Sequence, residues 1–311
     1  MTVTPPIEKP AAQEKQLHVD APAKINLYLE VKGNRPDGFH EIVTIMQTID
    51  MVDRITLTAT KRSPGDLAQS ADIQLTVHDQ RPPKLDHHDL PPPEDNLACR
   101  AAAALLDAAQ ATSEVAIHID LVKKIPLGGG LGGGSSDAAS VLMGVNQLLG
   151  NPVGENKLRD LAAQLGSDVP FFLTGGTALC TGRGEIVRPI VSPQPFDVEL
   201  LFPGIHSPTA EIYNELPDPP VSEPNLHDLE KLVKIIDNAS PRDLEQCFRN
   251  DLEDPASHVI PKLRPLLALP GWHLSGSGST LFSYIGIGAD SATTERIDHP
   301  LCVMRTSGRF S

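Results

Sequence analysis

The sequence predicts a mixed α+β fold in two domains, and three observations carry that reading. Apolar residues alternate at period two over Ile25–Val31 and Val115–Leu121, the mark of half-buried strands. A helical apolar stripe follows the second of these, through Ala138, Val141, Leu142, Val145, Leu148 and Leu149. The 311 residues are long enough for two cores, and the Pro-rich stretch at 189–195 is a plausible junction between them.

Taken in order, residues 1–16 are Pro-rich and polar and read as a disordered tail. They lack the apolar run of a signal peptide, and Glu8 and Glu14 do not suit a transit peptide. The first strand runs from Lys24 to Val31, with others expected at Ile55–Thr60 and Ile73–Val77. Residues 79–94 read as a long surface loop, because Pro91–Pro93 continue neither a ladder nor a helix. His87 and His88 are expected there as solvated side chains. Asn96–Gln110 is alanine-rich and helical by propensity. The striped helix ends at Gly150-Asn151-Pro152, and a shorter helix follows over Asn156–Leu165. Strands are expected at Ala178–Cys180, Ile186–Ile190, Val198–Phe202 and Leu281–Ile287, and an amphipathic helix over Leu226–Ile236. No strand is assigned after Arg305.

Charge and composition narrow the function. Twenty-six basic against forty acidic residues leave a net charge of −14, which opposes binding to nucleic acid or an anionic membrane. No apolar run reaches the roughly 18–20 residues that span a bilayer, and a cytoplasmic location is expected. Cys99, Cys180, Cys247 and Cys302 form no C-x-x-C pair and read as inert thiols. If the ligand is an anion, the site must supply its own donors and cations.

The strongest signal is Pro126-Leu127-Gly128-Gly129-Gly130-Leu131-Gly132-Gly133-Gly134-Ser135-Ser136-Asp137, between a strand and a helix. Glycines let a backbone approach a ligand closely, and a helix start offers unpaired N–H groups and the positive end of the dipole. Together they make a phosphate cradle. The P-loop pattern is absent, since no lysine follows the glycines. Gly128, Gly130 and Gly133 match G-x-G-x-x-G formally, but Asn151–Glu155 is a turn where a dinucleotide site needs a strand ending in an acid. Two further residues carry chemistry. Lys24 opens the first strand, where a lysine is commonly solvated. Asp168 stands between Ser167 and Val169-Pro170-Phe171-Phe172, where a turn or cap role competes with a buried, partnered charge.

Pro126–Ala139 resembles the phosphate loop of the GHMP kinase superfamily, and its expanded glycine run resembles the diphosphocytidyl-methylerythritol kinases within it. Pro22-Ala23-Lys24-Ile25-Asn26-Leu27 and Gly166–Phe172 are similar to the same family's N-terminal and catalytic signatures. The resemblance implies that Lys24 and Asp168 form a catalytic pair, Asp168 taking the proton of a substrate hydroxyl. It implies that Pro126, Gly128, Gly129, Gly130, Leu131, Gly132, Gly133, Gly134, Ser135 and Ser136 bind ATP phosphates. Gly33–Glu41 is turn chemistry and also resembles the family's G-x-R-x-D-G-[YF]-H segment, which places Phe39 and His40, with Asn26, on a cytidine-bearing substrate. Asn96, Leu97 and Lys124 are implied for the adenine pocket, although an N-cap explains Asn96 as well. Ser275–Phe282 resembles a third motif lying over the glycine loop.

The resemblance also implies a ribosomal-protein-like N-terminal domain over 17–190, a ferredoxin-like C-terminal domain over 191–311, and an active site in the cleft between them. It implies ATP-dependent phosphorylation of the 2-hydroxyl of a cytidine-diphosphate-linked methylerythritol, in a monomer or homodimer. Mg²⁺ is expected with no assignable ligand, Asp137 being one candidate. Lys24, Lys123 and Lys124 are the cations expected to offset the chain's acidity. A kinase of mevalonate or homoserine type and a non-catalytic ATP-binding sensor are the alternatives.

Overall fold

The computed structural model describes residues 14–62, 71–81, 90–190, 195–216, 230–231, 233–234, 247–284 and 301–306. Residues 1–13 of the expected tail, His87 and His88, residues 191–194 of the expected junction and residues 285–287 of the last expected strand lie outside these. So do Leu226, Leu229, Leu232 and Ile236, although Glu230, Lys231, Val233 and Lys234 between them are helical.

Two long strands organise the molecule. β1 (Glu14–Asn34) and β2 (His40–Lys61) form an antiparallel hairpin. β1 takes in Glu14–Gln16, read from sequence as tail; their side chains are exposed, and backbone pairing with Thr58–Thr60 is what orders them. β3 (Asp72–Asp79) and β4 (Val115–Lys123) extend the sheet beyond β2, and β4 pairs with Arg54–Lys61. β5 (Thr177–Thr181) pairs with the other half of that β2 edge, at Thr44–Gln47, and carries β6 (Ile186–Pro189).

One face of this sheet is covered by α1 (Leu97–Ala108), α2 (Gly133–Leu148), α3 (Glu155–Leu165) and the single-turn α4 (Val169–Phe172). The opposite face meets a four-stranded sheet of β7 (Asp197–Leu201), β9 (Trp272–Leu274), β10 (Leu281–Tyr284) and β11 (Leu301–Arg305). Ala23, Ile25, Leu27, Val43 and Ile45 pack there against Val198, Leu200 and Phe282. Alternation at 25–31 predicts a half-buried strand, but residues 21–27 are buried on both faces because the second sheet roofs them. The far face of the second sheet is closed by α5 (Thr209–Asn214) and α6 (Glu253–Val259), around Leu201, Ile212, Leu252, Leu263 and Leu281. A two-residue strand, β8 (Arg249–Asn250), adds in parallel to Tyr28–Leu29 of β1.

α2 begins at Gly133, five residues before the predicted apolar stripe, because Gly132 turns the chain with φ +68°. The helix lies so close to the sheet that a Cβ on Gly144 would stand 2.4 Å from Leu57 Cδ1. Gly144→Ala gains about 1 kcal/mol of helix propensity, but Leu57 is fully buried and overpacking costs about 1–3 kcal/mol. The expected net result is a loss of up to roughly 2 kcal/mol, read from the shift of the urea midpoint. A midpoint moved upward would show that Leu57 has room to swing.

Candidate active site

Lys24 follows an irregularity in β1, where the register with β2 shifts between Pro22 and Lys24. Such a bulge re-aims side chains. The Lys24 backbone N–H donates to Leu131 O at 3.0 Å, tying the strand to the glycine loop. Its Nζ lies 3.6 Å from Asp168 Oδ2, an ion pair longer than a hydrogen bond, and donates to Asn26 Oδ1 at 2.5 Å. Asn26 Nδ2 donates to Thr44 Oγ1 at 2.8 Å, and that hydroxyl donates to Tyr28 O at 2.6 Å. The chain of donors sets which face of the Asn26 amide meets the lysine. Burial pulls the Lys24 pKa below its ordinary value, with Asp168 opposing.

Asp168 is held from behind. Val169, Phe171 and Phe172 of α4 are buried in the core, which leaves the aspartate at the core's edge with its side chain 30% exposed. It makes no capping hydrogen bond to α4, so the cap reading of this residue falls away.

The glycine loop is pressed from two sides. A Cβ on Gly130, at φ +74°, would lie 1.9 Å from Ser275 O, and one on Gly132 would lie 2.9 Å from the Phe172 ring and 3.1 Å from Lys24 Cγ. Ser275 Oγ donates to Gly130 O at 3.0 Å, and Thr280 N donates to Gly129 O at 3.2 Å. The Ser275–Thr280 turn therefore lies on the glycine loop. It is steadied by Ser207 Oγ, which donates to Ser277 O at 2.7 Å, and by Asn250 Nδ2, which donates to Leu274 O and Gly276 O.

These parts surround one cavity of about 520 Å³. Lys24, Asn26 and Asp168 line it, as do Gly128, Gly130, Gly132 and Ser135. At another part of its wall are Phe39 and His40. Of the other sequence candidates, Leu131 and Ser136 are buried, and Gly133 faces Ile125 and Lys123. Pro126, Gly129 and Gly134 are not in the cavity wall either. Asn96 caps α1, accepting from Ala98 N at 2.9 Å, and Leu97 lies against Gly134. Lys124 uses its backbone N–H on Asp53. None of these three lines the cavity.

Among the cavity residues that escaped the sequence reading, two carry rings or charge. The Arg183 guanidinium stands 4.7 Å from the centre of the Phe39 ring, and the Tyr213 ring stands 4.9 Å from that of His40. Burial, with Asp168 nearby, pushes the Tyr213 phenol pKa up. Arg183 sits in a plain Gly-Arg-Gly turn with no pattern to mark it, and Tyr213 lies on the six-residue α5, too short to show a helical stripe.

Lys123 differs from expectation. It is fully buried, and its Nζ bonds Asp53 Oδ2 at 2.5 Å and Asp137 Oδ2 at 2.6 Å, so it is not free for an anion. Burial works against its charge, but the two carboxylates outweigh that and raise its pKa. Asp53 Oδ1 also accepts from the N–H groups of Lys124 and Ile125, at 2.5 and 2.8 Å.

Residues 96–176 match the GHMP kinases N terminal domain. The chain is 38% identical over 274 residues to the 4-diphosphocytidyl-2-C-methyl-D-erythritol kinase of Desulfotalea psychrophila, covering 86% of this chain and 85% of that one. It is 39% identical to the same kinase of Citrifermentans bemidjiense, covering 86% and 89%. The chain belongs to the 4-diphosphocytidyl-2-C-methyl-D-erythritol kinase family. A solved kinase of this family superposes with a TM-score of 0.67 at 32% identity, over 94% of this chain and all of that one. The L. major mevalonate kinase, solved with R-mevalonate, gives the same TM-score of 0.67 at only 14% identity, over 96% and 98%, and so shares the fold. Within the kinase family's sequence pattern, the segments around Lys24, Phe39, Gly130 and Asp168 are scattered over some 150 residues of chain; here they border one cavity.

Proposed function

We propose that this protein transfers the γ-phosphoryl group of ATP to the 2-hydroxyl of 4-diphosphocytidyl-2-C-methyl-D-erythritol. The observation that carries the reading is the Lys24–Asp168 pair facing the same cavity as the glycine loop and the Phe39–His40 wall. The loop's backbone N–H groups, with Ser135, would hold the donor phosphates. Asp168 would accept the hydroxyl proton as the substrate oxygen forms its bond to phosphorus and the bond to ADP breaks. Lys24 would keep Asp168 ionised and stabilise charge on the attacking oxygen. The Asn26 amide would hold the lysine in place.

The aromatic wall suits a nucleobase. Phe39 offers an exposed ring face beneath Arg183, and a His40 nitrogen can pair with a base edge. Lys24 and Arg183 supply positive charge in a chain of net charge −14. About 520 Å³ falls in the usual range for small-molecule sites.

Mg²⁺ would be brought by the nucleotide, its phosphates and water supplying most ligands. The described residues contain no cluster of three His, Cys, Asp or Glu. Asp137 has one oxygen held by Lys123 and is buried, so it does not fit a metal exchanging with solvent. No step is assigned to a protein ligand for the ion. Among the described residues no helix is long and apolar enough to cross a membrane.

An ADP-release assay coupled to NADH oxidation tests the reading. Turnover is expected with the cytidine-linked substrate and not with mevalonate or homoserine, and CDP should compete with that substrate rather than with ATP. Turnover of mevalonate alone, or nucleotide binding with no acceptor used, would overturn it.

A further inference from the structure

The phosphate loop rests on a buried charge cluster that the reaction as proposed does not use. Asp53, Lys123 and Asp137 are each nine-tenths buried or more. Lys123 joins Asp53, on β2, to Asp137, in the first turns of α2, while Asp53 also holds the backbone of residues 124 and 125 just before the loop. Both stems of the glycine loop are thus pinned to one point. A Cβ on Gly133 would come within 3.1 Å of Lys123 Nζ, so the ammonium lies directly behind the start of α2.

Two carboxylates share that one ammonium, and Asp137 Oδ1 is buried with no hydrogen-bond partner. An ionised carboxylate oxygen with neither water nor donor is costly to hold. Among the described residues no second cation is paired with either carboxylate. Lys24 of β1 lies against Gly132 on the cavity side, and α1 and α4 meet this region with Leu97 and Phe172. The charged residues of α1 and α3, namely Arg100, Asp107, Glu155, Lys157, Arg159 and Asp160, are exposed or nearly so. Phosphates bound at the loop would add negative charge on the same side, within about two helical turns.

We infer that Asp137 takes up a proton from solvent when the glycine loop binds a nucleotide, so that nucleotide affinity is coupled to pH through this residue. The inference rests on the loop being the nucleotide site. Burial, reinforced by Asp53 and opposed by Lys123, already pushes Asp137 up to about 7 in the free protein. A nearby anion raises it further. The charge then falls to one carboxylate facing one ammonium, and the loop's stems stay pinned because the neutral acid still accepts from Lys123. Linkage sets the sign: the bound state holds more protons, so affinity falls as pH rises through and above neutrality.

Calorimetry of ADP binding to the full chain, with Mg²⁺ present, at about pH 8 in HEPES and in Tris, reads the proton directly from the difference in heats. The expected result is uptake of about half a proton per ADP, and a several-fold weaker affinity at pH 9 than at pH 7. Asp137→Asn, which mimics the protonated side chain, should remove both. Asp53→Asn provides an independent arm: with its like-charged neighbour gone, Asp137 pairs with Lys123 alone, stays ionised, and the uptake shrinks. Wild-type binding with equal heats in the two buffers overturns the proposal. So does proton release, the signature of a cation displacing a proton from the carboxyl. Failure of the wild type to bind ADP at all would overturn the nucleotide reading of the loop itself.

Discussion

Asp168→Asn is expected to lower kcat by about 10²–10⁴-fold, the contribution of a positioned general base. At 1.36 kcal/mol per tenfold this is roughly 3–5 kcal/mol of barrier. The KM for ATP should change little, because in the proposed arrangement the donor phosphates would face the glycine loop and not this side chain. The fold should survive. Asp168 makes no capping bond, its side chain is 30% exposed, and the apolar side chains of α4 anchor the segment without it. One physical side effect is predictable. Lys24 already has its pKa lowered by burial, and losing Asp168 removes the main influence that opposes this. The unfolded chain then binds more protons at this residue than the folded one. Stability therefore rises with pH toward the lysine's unfolded value of about 10.4, more steeply in the variant than in the wild type. Single-turnover kinetics with circular dichroism as the folding control would measure both effects. A kcat within fivefold of wild type would remove Asp168 from the role of base.

Gly130→Ala should be the most damaging single change in the glycine loop. The residue sits at φ +74°, where a Cβ costs about 1–2 kcal/mol. That Cβ would also come 1.9 Å from Ser275 O and 3.1 Å from Gly278 N, both backbone atoms with no rotamer to change. Either the glycine loop or the Ser275–Thr280 turn has to move, and both border the cavity. Strain and overpacking together amount to about 2–5 kcal/mol of stability, and the KM for ATP should rise at least tenfold. Gly150→Ala is the matched control. It has φ +87° and nothing within 4 Å of its Cβ, so it should show the conformational cost alone and normal kinetics. Equal nucleotide KM values for the two variants would show that the contact between these turns does not shape the phosphate site.

How much of this was readable beforehand depends on the range over which each feature is determined. The glycine run stood out by its own composition, whereas Lys24 and Asp168 stood out through the resemblance of their short segments to the kinase family's signatures. Strand and helix positions followed wherever one face met solvent, as at 115–121. β2 was only half seen, since residues 42–49 are buried on both faces and show no alternation. β8, β9 and β11 were not seen at all, being two to five residues long and stabilised by partners such as Tyr28 and Leu200, far away in sequence. Lys123 was misjudged as a free cation because its two carboxylate partners lie 70 and 14 residues away.

The order of residues alone marked out the glycine loop and many of the helices and strands around it, because glycine content and hydrophobic period are local properties; Lys24 and Asp168 were marked as a pair only by the resemblance of their segments to the kinase family. Folding alone decided the distances: that a lysine at 24 meets an aspartate at 168, that Arg183 and Tyr213 join Phe39 and His40, and that Asp137 is shut away beneath the loop. Those outcomes follow from which surfaces are removed from water together, and no stretch of chain records that by itself.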